Sequence, residues 1–239
     1  MSWQPLIRED KFEGSDRPFI SISSSHIAFN ARFTRIAEIS PKYRVTIHID
    51  SSDRRLGFEF HADDRQNSLK LSPASSDKKG KKRVGVFCSA QQLINQHIWV
   101  KSISRLPSKY RRFYDPKKEG QKWVIQLRPS FELRKARESS EISSDATRIY
   151  RYLRENGEVV YIGRGEIKAR LASPDRREWD FDVIEYSVVN DPDKQIEWED
   201  YWLRKFQEEN GKLPFYNKVS GFALLQSRRM GTVLPGTLL

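Results

Sequence analysis

Residues 148–163 read Arg148-Ile149-Tyr150-Arg151-Tyr152-Leu153-Arg154-Glu155-Asn156-Gly157-Glu158-Val159-Val160-Tyr161-Ile162-Gly163, and their reading decides the fold of the C-terminal third of the chain. Residues 148–153 and 158–163 are two strand-like runs rich in aromatic and β-branched side chains. Between them, Asn156-Gly157 supplies the positive φ angles that a tight hairpin turn needs. On the first strand Tyr150 and Tyr152 share a face. On the second, Val160 and Ile162 share one face and Tyr161 lies on the other. From this pattern alone, tyrosines beside a hairpin are ordinary amphipathic sheet residues.

The segments that follow add chemistry. Residues 167–171 open a short helix carrying Lys168 and Arg170. Residues 181–189 are a third strand, 195–209 a long amphipathic helix, and 212–217 close the unit. On the long helix Glu199 shares a face with Trp202, Leu203 and Phe206, at i+3, i+4 and i+7. That face packs on the sheet, so Glu199 points toward the tyrosines. Glu197 lies roughly on the opposite side of the helix, at ~100° per residue, and is expected to be more exposed. A carboxylate on an apolar face is costly unless a partner or a metal meets it.

Taken in order, Ile149-Tyr150, Tyr161-Ile162-Gly163, Arg170-Leu171, Glu199-Asp200-Tyr201-Trp202-Leu203 and Pro214-Phe215-Tyr216-Asn217 resemble the motifs of the GIY-YIG nucleases. The resemblance covers about residues 145–221 and includes the family's usual spacing between the two tyrosines. It implies a three-stranded antiparallel sheet flanked by helices, which hydrolyses phosphodiester bonds with one divalent metal. Such chemistry needs a base for water, a metal to polarise the phosphate and a cation for the developing charge. By resemblance Glu199 anchors Mg²⁺ or Mn²⁺, a hard ion that keeps several waters. Tyr150 is the general base or a group that positions water, with Tyr161 its neighbour. A tyrosine base needs its pKa brought down from about 10, and Arg164 and Lys168 are the nearby cations in sequence. Arg170 would grip the scissile phosphate through its bidentate fork, and Asn217 would brace the site. Three departures stand out. Arg148 replaces the glycine of the first motif, the Gly163-to-Arg170 interval is slightly short, and residues 171–197 lack the histidine that many members carry.

Upstream, the first 130 or so residues read mostly as short strands. Tyr43, Val45, Ile47 and Ile49 alternate with polar neighbours, as do Leu56, Phe58 and Phe60, with Ser51-Ser52-Asp53 as the turn between them. Residues 68–72, 84–88, 99–103 and 123–127 are further strand candidates. Ser89 reads as the N-cap of a helix running through Gln96. Two stretches are suited to nucleic acid. One is the basic run Lys78, Lys79, Lys81, Lys82 and Arg83. The other interleaves Tyr110, Arg111, Arg112, Phe113 and Tyr114, where aromatics can stack on bases and cations track a backbone.

The formal net charge of +11 favours a polyanionic partner. The single cysteine, Cys88, forms no disulfide within the chain and reads as a buried structural thiol. The four histidines show no metal-ligand spacing. No signal peptide and no membrane-spanning run is evident, so a cytoplasmic protein is expected. The expected organisation is α+β: a β-rich nucleic-acid-binding domain over residues 1–130, a linker over 131–146, a GIY-YIG-like nuclease domain over 147–221 and a tail over 222–239. The expected activity is metal-dependent DNA cleavage in restriction, repair or a mobile-element or phage role, with a homodimer as one route to cutting both strands. The alternatives are a non-catalytic DNA-binding protein that keeps the nuclease fold and an RNA-directed nuclease.

Overall fold

Apolar alternation in short strands organises the N-terminal half of the protein. β1 (Phe19–Ile22) and β2 (His26–Phe29) each turn two side chains inward, Ile20 and Ile22 from one and Ile27 and Phe29 from the other. After a short helix, α1 (Ala31–Ile36), capped by the Asn30 side chain, come β3 (Arg44–Asp50) and β4 (Arg55–His61). These two form the hairpin expected from sequence, with Val45 opposite Phe60, Ile47 opposite Phe58 and Ile49 opposite Leu56. The remaining elements are β5 (Ser68–Lys70), β6 (Ser72–Pro73), β7 (Val86–Ser89), α2 (Gln91–Gln96), α3 (Ile98–Arg105), β8 (Arg112–Tyr114), β9 (Lys117–Glu119) and β10 (Lys122–Gln126). They complete two antiparallel five-stranded sheets, in the orders β6-β7-β2-β1-β8 and β5-β3-β4-β10-β9. The inward residues of both sheets share one hydrophobic core with Ile94, Trp99, Val100 and Ile103. Cys88 lies in it fully buried, its thiol pushed up to about 12 by burial, as befits a structural thiol.

This computed structural model describes residues 17–74, 85–142 and 147–218. The chain divides into two compact units, Met1–Leu127 and Arg128–Leu239. Within the described residues it is a mixed α+β structure of three antiparallel sheets and five α-helices. None of these helices is long and apolar enough to cross a membrane.

Two local readings change in the first unit. Residues 99–103, expected as a strand, are the middle of α3. Trp99, Val100, Ile103 and Ser104 are its buried positions, a helical spacing that a five-residue window does not separate from alternation. Ser89 is the last residue of β7, paired with His26, so α2 starts one residue later than expected, with no side-chain cap.

The second unit holds β11 (Leu133–Ala136), β12 (Thr147–Leu153), β13 (Val159–Glu166), α4 (Ile167–Leu171), β14 (Val183–Val188) and α5 (Pro192–Asn210). Its sheet runs β11-β14-β12-β13 and therefore has four strands, not three. The extra strand comes from the stretch read as a linker. Leu133 packs on the core, and Arg134 pairs with Glu185 on β14, so a polar, serine-rich sequence still forms an edge strand. The β12–β13 hairpin turns as expected at Asn156-Gly157, but only Gly157 takes a positive φ, of 86°. Gly157 N–H donates to Arg154 O, and the Arg154 amide donates to Glu158 O, which closes the ladder with a glycine bulge rather than a two-residue turn. α5 starts at Asp191, whose carboxylate accepts from the amides of Asp193 and Lys194. It stops at Gly211, at φ 69°.

The face of α5 follows the sequence reading. Leu203 is 1% exposed against Ile162 of β13, whereas the Glu197 side chain is 56% exposed. Leu203→Ala should therefore cost about 2–5 kcal/mol in urea unfolding of the second unit. Glu197→Ala should stay within about 0.5 kcal/mol of wild type. Similar losses for the two variants would overturn this facing of the helix.

Candidate active site

The centre of the second sheet is a run of aromatic rings. Tyr152 on β12 lies opposite Tyr161 on β13, and Tyr150 lies opposite Gly163. The glycine is a steric requirement of the second motif. A Cβ at position 163 would sit 2.5 Å from a ring carbon of Tyr161 and 2.7 Å from its hydroxyl. The Tyr161 ring thus lies back over Gly163, which brings its oxygen close to that of Tyr150.

What joins the two oxygens is Arg176, from the short 3-10 turn Pro174–Arg176 that follows α4. Its Nη1 donates to Tyr150 Oη at 3.2 Å and its Nη2 donates to Tyr161 Oη at 3.1 Å. The guanidinium also lies 4.8 Å from the Tyr161 ring centre and 4.9 Å from that of Trp179, within cation–π range. Arg176 is only 9% exposed, and among the described residues no carboxylate reaches it within ion-pair distance. It was not picked out from sequence. Asp175-Arg176-Arg177-Glu178 has the composition of a solvated charged loop, and only the following Trp179 hints at a buried role.

Glu199 projects from α5 toward this cluster. Its Oε2 accepts from Arg164 Nε at 2.9 Å, with the carboxylate side chain 13% exposed. The same carboxylate acts on Tyr161, as does Arg170 of α4. Tyr150, Arg170 and Glu199 therefore all act on Tyr161. Asn217 acts one step behind them. It accepts from the Ile162 amide and donates to the Ile162 carbonyl, both at 2.9 Å, a two-point clamp on the open edge of β13. Arg148, which replaces the motif glycine, is buried with its guanidinium 5.1 Å from the Tyr186 ring centre.

The assignment of nearby cations needs correcting. Arg164 is engaged with Glu199, and Lys168 is exposed on α4, so Arg176 and Arg170 are the cations that act on the phenols. Nor are the phenols brought down in pKa. Burial pushes Tyr150 well above its usual value, with neighbouring tyrosines adding to the rise, and Arg176 is outweighed. Burial raises Tyr161 as well, against the pull of Arg176, and Glu199 adds to the rise. In this arrangement both phenols stay protonated at neutral pH. Tyr150 is then suited to donating a hydrogen bond or positioning water rather than to removing a proton.

No protein-family model, curated protein or solved structure matches this chain. The likeness to the GIY-YIG nucleases accordingly stays with the residues named above. Among the described residues no group of three or more His, Cys, Asp or Glu is placed to hold a metal ion. The donor chemistry does not fit an all-protein cage. A single carboxylate, Glu199, ion-paired with Arg164, is the one donor of a kind that could hold a magnesium-class ion with waters among the residues of this cluster.

Of the nucleic-acid candidates, Lys78, Lys79, Lys81, Lys82 and Arg83 lie outside the described residues. Arg111 ends the 3-10 turn Ser108–Arg111, and Arg112 opens β8 with its guanidinium 5.3 Å from the Phe19 ring centre.

Two outcomes follow from the buried cluster. Arg176→Met keeps much of the stem and removes both donors. It should cost about 1–3 kcal/mol for each phenol oxygen left unpaired. In that background Tyr150→Phe should cost less than it does in wild type, a coupling that a double-mutant cycle in urea would measure. Additive losses would mean the arginine does not hold the tyrosine. The second outcome concerns alkaline pH. An unfolded tyrosine ionises near 10, whereas Tyr152 is raised to about 12 by burial and Tyr150 and Tyr161 are also raised. Ionisation then favours the unfolded chain, so stability is complete below about pH 10 and falls as pH rises beyond it. Denaturation midpoints across this range should fall less steeply for Tyr152→Phe than for wild type.

Proposed function

We propose that the second unit is a GIY-YIG-type nuclease module that hydrolyses phosphodiester bonds with one bound Mg²⁺ or Mn²⁺, and that DNA is its substrate. The observation that carries this reading is the convergence of Tyr150, Arg170, Arg176 and Glu199 on Tyr161. They come from two strands, a short helix, a turn and a long helix. Arg164 pairs with the Glu199 carboxylate, and Arg170 and Arg176 both act on Tyr161 beside it, cationic groups suited to an anionic substrate.

In this mechanism Arg170 grips the scissile phosphate. Glu199 would hold the metal ion, which when bound would supply Lewis-acid polarisation of the phosphate. Arg164 orients the Glu199 carboxylate. Arg176 fixes the two phenol oxygens, and the protonated Tyr150 hydroxyl orients the attacking water. Asn217 keeps β13, and with it Tyr161, in register. The first unit supplies contacts to the nucleic-acid backbone, consistent with the chain's charge of +11. With one such site per chain, cutting both strands takes two copies or two successive nicks.

A second reading has its own observation. The Arg164–Glu199 pair and the protonated phenols also suit a non-catalytic nucleic-acid-binding protein that keeps the nuclease fold. Incubation of supercoiled plasmid and single-stranded DNA with Mg²⁺, Mn²⁺ or chelator separates the two. Wild type should nick or cut only with metal, and Glu199→Ala should be slower by about 10²-fold or more. Binding without cleavage by either protein, across both metals and both DNA forms, would favour the non-catalytic reading and turn the search to RNA.

A further inference from the structure

The outer face of the first sheet is built differently from its inner face. The alternation that buries Ile20, Ile22, Ile27 and Phe29 turns Phe19, Ser21, His26 and Ala28 outward. Register aligns four of the outward side chains in one row across the strands. Phe87 of β7 lies opposite Ala28, Ala28 opposite Ser21, and Ser21 opposite Arg112. The row therefore runs aromatic, small, small, cation. The two small residues leave a hollow over the middle of the sheet, and Phe19, His26 and the 3-10 turn carrying Arg111 wall it. The resulting cavity has a volume of about 530 Å³, within the ~300–1,000 Å³ usual for small-molecule sites.

Its lining selects a ligand class. Among the described residues no Asp or Glu lines it, whereas Arg111 and Arg112 both do. Arg111 Nε is buried and has no hydrogen-bond partner among the described residues, an unmet donor suited to an anionic oxygen. Two aromatic rings, Phe19 and His26, and the hydroxyls of Ser21 and Ser23 also line the cavity. Rings beside a guanidinium suit a planar base attached to a phosphate better than a bare inorganic anion. We propose that this cavity binds a single phosphorylated nucleoside, with Arg111 and Arg112 on the phosphate and the base over the Ser21–Ala28 floor, between the Phe19 and His26 rings at its two ends. The same chemistry is offered by one nucleotide of a single strand or by a free nucleotide. This site lies within the first unit and does not depend on the cleavage proposed for the second.

The test is binding by the full-length protein in the presence of chelator, so that cleavage plays no part. One arm follows fluorescence anisotropy of a labelled single-stranded DNA oligonucleotide. The other titrates each of the four deoxynucleoside monophosphates by calorimetry. The variants are Arg111→Ala, which removes the unmet donor, and Ala28→Leu, which fills the floor from the outward face without touching the core. Circular dichroism checks that both fold. Arg111→Ala should weaken binding by about tenfold or more and flatten the salt dependence by about one phosphate contact. Ala28→Leu should weaken binding without changing that slope. Losses in the oligonucleotide arm alone assign the cavity to a nucleotide within a strand, and losses in the nucleotide arm assign it to a free nucleotide. Unchanged affinity in both folded variants, or binding by wild type in neither arm, would overturn the proposal.

Discussion

The second unit depends on a buried cation that, among the described residues, has no carboxylate at ion-pair distance. Placing a guanidinium out of water is costly unless its donors and its charge are both met. Arg176 meets the first need with two phenol oxygens and the second with the π-faces of Tyr161 and Trp179. Each partner is held in turn. Trp179 stacks on Tyr216 at 4.3 Å between ring centres, and Tyr216 Oη accepts from the Asp180 amide. Tyr152, between the two phenols, stacks on Phe181 at 4.2 Å. The cluster therefore ties β12, β13, the turn after α4 and the closing Pro214–Asn217 segment into one packed set. The positions of the catalytic candidates are consequences of how that charge is housed.

The same closing segment solves a second problem. β13 is an edge strand, with main-chain groups that would otherwise face solvent or another chain. The Tyr216 amide donates to the Val160 carbonyl, and the Asn217 carboxamide serves both polar groups of Ile162. A side-chain amide has the donor and acceptor geometry of a peptide unit, so Asn217 acts as a one-residue strand neighbour. Asp at this position would lose the donor and Leu would lose both groups. Because Tyr161 lies between these clamped residues, bracing the edge also fixes the phenol.

The hairpin of residues 148–163, the helix bearing Glu199 and the β3–β4 hairpin were legible because each depends on local periodicity and turn chemistry. Glu199 could be separated from Glu197 for the same reason: three apolar residues at helical spacing mark the packed face. What sequence did not yield depends on partners distant along the chain. Arg176 sits in a charged run whose burial is decided by aromatics up to 40 positions away, Tyr150 and Tyr216 among them. Arg164, read as a neighbour of the phenols, finds Glu199 thirty-five residues on. β11 has one inward leucine and forms because β14 offers it an edge. α3 looked like a strand because five residues hold too little of either period.

The electrostatics of the site bear on what the tyrosines can do. A phenol that is buried, flanked by other phenols and approached by a carboxylate resists ionisation, and one shared guanidinium does not reverse this. A buried group that keeps its proton is a directional hydrogen-bond donor fixed in place before substrate arrives, which costs no reorganisation during reaction. In the proposed cleavage, proton removal from water would then fall to a group other than Tyr150, or to the substrate phosphate. Binding a phosphodiester would add negative charge beside Arg170 and Arg176, and further negative charge raises phenol pKa values rather than lowering them. The positioning role proposed for Tyr150 would thus be reinforced by the substrate's own charge, whereas a base role would be opposed by it.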